Sequence, residues 1–394
     1  MLNQPPASPH TEHRVGAWSS SPTDYSIQAT RFSNQTLRVI VRPGIAGRQV
    51  WIRISNLFGR QPLVIGEVHL ALAEGEALIR SKTDHVFTFA GLKSVTIPAG
   101  SEIESDPLVF EVTPLETLAV SIYFPEAMKV VTGNGGTARA FISSRGNLAG
   151  APDMVNRSFS AVRALPWVPF LTGLDVLASE STAAIVAFGD SLTVGPWPDY
   201  LLERLVSSGN KLPPRSVLRQ GISGNRILHN SSAQIGPVFG SAGITRFERD
   251  ALEQAGVKYI VVFEGINDLV HPGAVAPAEE EVSAAQIVAG LQTYIKHAHL
   301  RGLKIIGATL APFGGYANGF IAEREARREE VNRWIRGSGA FDGFIDPDKA
   351  LRDPAQPVRL LPLYDEGDHL HINDVGAKAL ADSINLSLFR DEVS

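Results

Sequence analysis

At 394 residues the chain is long for one domain and points to two, with 44% hydrophobic and 20% charged content, ordinary for a globular protein. A net charge of −5, from 36 basic against 41 acidic residues with no basic run, argues against a nucleic-acid partner. Absence of cysteine excludes disulfides, thiolate zinc sites and a cysteine nucleophile, and no apolar stretch approaches the ~20 residues of a membrane span.

Residues 1–15 read as a flexible lead. Their start, 1–10, has no apolar core and does not read as a signal peptide. The compartment therefore stays open: secreted or periplasmic if a signal has been removed, cytoplasmic otherwise. From there to residue 178 the chain reads as short strands. Candidates are 36–42, 49–55, 68–72, 85–89, 94–97, 107–112, 118–124 and 139–143, separated by Pro43-Gly44, Gly59, Gly75, Gly91, Pro98-Ala99-Gly100 and Pro114. Short alternating strands at this spacing, without a long helical pattern, predict a β-sandwich over 16–178. Trp51 sits in an alternating strand and is expected in its core, while Trp18 and Tyr123 could stack on sugars or fill a core. The stretch from Gly146 to about Ser181 is mixed and is expected to cross to a second domain.

From residue 179 to the end, strand and helix alternate. Apolar runs at 184–188, 216–218, 259–263, 304–310 and 341–346 read as strands, and 197–205, 284–300, 321–335 and 374–389 as helices. This order predicts a parallel sheet with helices on both faces. The charge run on the 321–335 helix, with Glu323, Arg324, Arg327, Arg328, Glu329 and Glu330, reads as a solvated face.

Four short polar motifs interrupt this half. Gly189-Asp190-Ser191-Leu192 follows the first buried strand and Gly221-Ile222-Ser223-Gly224-Asn225-Arg226 the second. Gly265-Ile266-Asn267-Asp268 follows the third, and Asp368-His369-Leu370-His371-Ile372-Asn373 precedes the last helix. A serine between a buried strand and a helix lies at the carboxyl edge of a parallel sheet, where such sheets bind ligands. A hydroxyl there needs a base and an oxyanion site to act as a nucleophile. His369, His371 and Asp368 could instead form a metal site, but no other His or Cys cluster suggests further ligands. Nothing in the pattern calls for a metal or an organic cofactor.

Together the four motifs resemble the SGNH hydrolases, the GDSL esterase and lipase family, over roughly residues 183–390. The resemblance implies a flavodoxin-like parallel sheet and a serine-dependent carboxylic ester hydrolase. Ser191 matches the nucleophile, His371 the general base and Asp368 its orienting carboxylate. The Ser191 and Gly224 N–H groups and the Asn267 amide match the oxyanion hole. Asp190, Trp197, Phe313 and Tyr316 are candidate substrate contacts. Two departures stand out: Ile372 follows the histidine where proline is often found, and Arg219-Gln220 stands where an asparagine often precedes the second-block glycine. The first half resembles the jelly-roll-like domain carried by some bacterial members, through Ala17-Trp18, Asn34-Gln35-Thr36-Leu37-Arg38, Ser55-Asn56-Leu57-Phe58-Gly59 and Ile97-Pro98-Ala99-Gly100. The implied substrate is a small-molecule or carbohydrate ester with a short acyl group, foremost an O-acetylated sugar. A lipid ester is the alternative, and an inactive carbohydrate-binding module is an alternative of another class. The sequence leaves the oligomeric state open.

Overall fold

The computed structural model of the chain describes residues 12–154, 162–209 and 212–391. The first half forms two main antiparallel sheets. One runs in the order Glu12–Ser19, Leu171–Ser179, Gly47–Ser55, Glu102–Glu104, with Leu108–Val112 also paired to Gly47–Ser55. The other runs Arg163–Leu165, Arg139–Ile142, Gln35–Val41, Leu118–Phe124, Glu67–Leu72, His85–Val86. Strand alternation decides what lies between them. Val50, Ile52 and Ile54 from one sheet join Leu37, Val39, Val41, Val120 and Ile122 from the other in a common apolar core. Each such side chain contributes roughly 1.5–3 kcal/mol on burial.

The same alternation corrects the expectation for Trp51. Lying between Val50 and Ile52, it points to the outer face and is only half-buried, with the Arg14 guanidinium 5.0 Å from its ring centroid. The expected lead is also shorter than 1–15. Residues 1–11 lie outside the described residues, but Glu12–Ser19 is a strand paired along Leu171–Ser179. Its signal was masked because Arg14 faces outward onto Asp175 at 2.8 Å, leaving Val15 and Ala17 as the inward residues. The 85–89 candidate shrinks to His85–Val86, because the Asp106 carboxylate takes the Ala90 and Gly91 amides and turns the chain.

The second half is built on five parallel strands in the order Arg215–Gly221, Ala183–Gly189, Val257–Phe263, Lys304–Ala308, Gly343–Ile345. Both faces are buried, so its central strands read as continuous apolar runs. Ile185, Ala187, Tyr259 and Val261 face the helices Trp197–Ser207 and Asp374–Ser383. Val186, Phe188, Ile260 and Val262 face Ala284–Leu300, which opens on a Ser283/Gln286 capping box. The 374–389 helix breaks at Ser383 and resumes as a short turn at Leu386–Phe389.

The charge run on Ala322–Gly337 is not wholly solvated. Arg324, Glu325 and Arg328 are buried, and Arg328 donates to Glu325, to Asp348 at 2.7 Å and to the Leu310 carbonyl. Its partners come from loops distant in sequence, which a helical charge pattern does not reveal.

The two halves share a seam. Glu12–Ser19 runs beside Arg215–Gly221; Ser216 Oγ donates to the Gly16 carbonyl at 2.5 Å and Gly16 N–H to the Ala255 carbonyl at 2.8 Å. One apolar cluster runs from Val15 and Val176 through Leu218 to Phe188.

Candidate active site

The carboxyl edge of the parallel sheet gathers three of the four motifs. Ala183–Gly189 ends at Asp190, whose carboxylate accepts the Leu192 N–H at 3.0 Å and caps the short helix Ser191–Val194. That cap puts Ser191 at the first helical position, half-buried at the edge. Ser191 Oγ lies 2.9 Å from His371 Nε2, across 180 positions of chain. His371 Nδ1 lies 2.6 Å from Asp368 Oδ2. A proton on Nδ1 donates to that carboxylate and leaves Nε2 as the acceptor for the serine hydroxyl.

Asp368 is itself fixed by its own turn. Its Oδ1 accepts the Leu370 and His371 N–H groups at 2.9 and 2.8 Å. Burial works against its ionisation, but the hydrogen bonds from the His371 ring, the His371 amide and the Leu370 amide outweigh it and hold the carboxyl below its usual range. His369 forms a separate pair, Nδ1 to Asp365 Oδ2 at 2.5 Å, from a left-handed backbone at φ +70°.

Gly224 turns the second loop at φ +73°, a conformation that suits glycine. A Cβ at this position would also meet the Phe239 ring at 2.3 Å. Among the described residues the Ser191 and Gly224 N–H groups have no protein acceptor. Asn267, on Ile266–Val270, spends one amide hydrogen on the Asn225 carbonyl at 3.0 Å and keeps the second. That bond also ties the second motif to the third.

Beneath these loops lies a buried polar cluster. Asp268 accepts the Ile227 and Leu228 amides at 2.8 and 3.0 Å, and burial, against those two bonds, pushes its pKa up to about 7. Burial likewise raises Asp190 and Glu264 above the ordinary carboxyl range. Arg246 sits between the loops with 2% exposure. Burial pushes His271 down to about 4, and its ring stacks on Phe239 at 5.3 Å.

The expected substrate contacts divide. Trp197 and Phe313 are buried in the two apolar cores and Asp190 is buried under the cap it makes, so these three have no surface to offer a ligand. Apolarity beside a motif signalled core packing rather than a pocket wall. Tyr316 is half-buried and remains a candidate. Phe239, Arg246, Glu264 and Asp365 were not anticipated. A lone arginine or phenylalanine in a segment without clear period carries no local signal, and only Glu264, abutting the third motif, could have been singled out. The departure at Arg219-Gln220 becomes intelligible: Gln220 bridges Ser19 and Ser21 of the first half, both at 2.6 Å, and Arg219 pairs with Asp199 at 2.6 Å.

Residues 187–379, which carry these loops, match the model of the GDSL-like lipase/acylhydrolase family. This part of the chain is a GDSL-like ester hydrolase domain, preceded by an antiparallel β-rich region. No curated protein matches the chain in sequence. Among solved structures, a GDSL-like lipase from Bacteroides thetaiotaomicron is 16% identical, covering 52% of this chain and 87% of its own, with a TM-score of 0.39. An acetyl xylan esterase, AlAXEase, is 21% identical over 51% of this chain and 96% of its own, TM-score 0.39. A carbohydrate acetylesterase from Sinorhizobium meliloti is 12% identical over 50% and 94%, TM-score 0.37. Among the described residues no helix is long and apolar enough to cross a membrane, and no group of His, Cys, Asp or Glu side chains could hold a metal ion.

Proposed function

We propose that the protein hydrolyses carboxylic esters through an acyl-enzyme on Ser191. The observation that carries this reading is the relay from Ser191 Oγ through His371 to Asp368, at 2.9 and 2.6 Å. Ser191 Oγ attacks the ester carbon while His371 Nε2 takes the hydroxyl proton. The carbonyl oxygen becomes an oxyanion facing the Ser191 and Gly224 N–H groups and the free Asn267 amide hydrogen. On collapse the ester C–O bond breaks and the alkoxide leaves as alcohol with the proton from His371. Water then attacks the acyl carbon, gives its proton to His371, and the second collapse returns that proton to Ser191 Oγ and frees the carboxylic acid.

The favoured substrate is a short acyl ester, foremost an O-acetyl group on a carbohydrate. Phe239, packed over Gly224 and stacked on His271, fills space beside the oxyanion donors and favours a small acyl group. The β-rich half abuts this sheet, and its Ser19 and Ser21 bond to Gln220, the residue before the second motif, which supports a role in shaping the cleft.

The test is turnover of chromogenic esters of increasing chain length, then of acetylated oligosaccharides. Acetyl esters should be hydrolysed fastest, and Ser191→Ala should be inactive with an unchanged melting curve, since one half-exposed hydroxyl contributes little to stability. A folded Ser191→Ala protein that retains most turnover rules out the serine mechanism. A preference for long acyl chains rules out the short-acyl assignment alone.

A further inference from the structure

We infer that Arg246 is a positioning residue that holds the three oxyanion-donor loops in register, an inference that rests on the esterase reading above. Its guanidinium lies beneath the catalytic edge, out of reach of solvent. Nη2 donates to the Gly189 carbonyl at 2.7 Å, two residues before Ser191, and approaches Glu264 at 3.4 Å, three residues before Asn267. Nη1 donates to the Gln220 carbonyl at 2.9 Å, at the end of the strand that leads to Gly224. Nε donates to the Asn225 side chain at 2.7 Å, and the Asn225 carbonyl in turn accepts the Asn267 amide at 3.0 Å. A fourth arm reaches the other half of the chain, from Nη1 to Ser21 Oγ at 3.2 Å.

The geometry matches the side chain. One planar fork with five N–H donors serves acceptors on every donor loop at once; an ammonium has three donors and no plane. Asp250 at 3.1 Å and Glu264 balance its charge, and Phe188 lies against its face at 3.9 Å. Its acceptors sit at or next to the residues that aim the donors. An oxyanion donor works only within a narrow distance window, and a 1 Å misplacement can cost about 10²-fold in rate. Arg246 touches no reacting atom, so its effect is on transition-state binding alone.

The experiment compares full-length Arg246→Lys with wild type on a chromogenic acetyl ester, alongside inhibition by an alkylboronic acid, whose tetrahedral adduct on Ser191 presents an oxyanion-like oxygen. Arg246→Lys should lower kcat by about 10²-fold with KM little changed, and boronate affinity should fall in step. A folded Arg246→Lys protein with kcat within about two-fold of wild type, or with only KM altered, overturns the inference. If Arg246→Lys does not fold, Ser21→Ala removes one arm and spares the guanidinium. Kcat and boronate affinity should then fall together by a smaller factor, and wild-type values for both overturn the inference. Ser191→Ala in parallel separates the readings: if it stays active, the esterase reading itself is wrong, whereas an inactive Ser191→Ala beside a fully active, folded Arg246→Lys removes only the role of Arg246.

Discussion

Asn267 holds one amide hydrogen in a bond to the Asn225 carbonyl and has one left, so a developing oxyanion would meet a donor already aimed. Asn267→Ala should lower kcat by roughly 10²–10³ and leave KM nearly unchanged, because the charge it stabilises exists only in the transition state. Steady-state kinetics on the acetyl ester decide this, and an unchanged kcat takes Asn267 out of the chemistry. The Asp368 carboxylate receives three hydrogen bonds, two from amides and one from the His371 ring. In Asp368→Asn the amide can present an N–H to Nδ1 and favour the wrong tautomer, so a loss of several orders of magnitude in kcat is expected. His369→Ala should cost far less, since its ring is paired with Asp365. If His369→Ala proves the inactive variant, the assignment within this block is wrong. The meeting of Ser191, His371 and Asp368 was expected from the sequence because each sits in a short motif that resembles a block of a known family. Arg246 and Phe239 were not, because their roles depend on loops that only the fold brings together.

At the scale of elements, the strand–loop junctions that carry the motifs also bury acidic groups. The Ile266–Val270 helix places Asp268 against the Ile227 and Leu228 amides, out of contact with solvent. Its folded pKa of about 7 lies above the ordinary carboxyl value, so the folded state holds a proton that the unfolded chain has released. Stability from this group is therefore full below the unfolded pKa and is lost as pH rises through about 7. Asp268→Asn keeps the shape and removes the titration. The wild-type melting temperature should fall relative to Asp268→Asn between about pH 4 and pH 7, groups common to both cancelling. A difference that stays constant with pH means Asp268 is ionised throughout. Strands of the parallel sheet were readable as apolar runs because both of their faces are covered. Glu12–Ser19 and Leu171–Ser179 were not, because Arg14 and Asp175 pair across their outer face and break the apolar pattern of each strand.

For the whole molecule, the consequence of the seam is mechanical unity. The edge strand Arg215–Gly221 is buried along its length, with Glu12–Ser19 beside it. Length suggested two domains, and the sheets change from antiparallel to parallel near residue 180, but a sequence pattern does not report how two cores join. Here the apolar cluster continues from Val15 through Leu218 into the parallel sheet. Gly16 lies close against the parallel-sheet half: a Cβ there would meet Leu218 Cδ1 at 2.7 Å, and Leu218 is fully buried. Gly16→Val should overpack this seam and cost roughly 1–3 kcal/mol. Because the cores are continuous, the cost should appear as a downward shift of one calorimetric transition, with esterase activity lost over the same temperature range. Two separated transitions, the upper one unmoved by Gly16→Val and coincident with loss of activity, mean that the parallel-sheet half holds its active site without the strand that covers its edge.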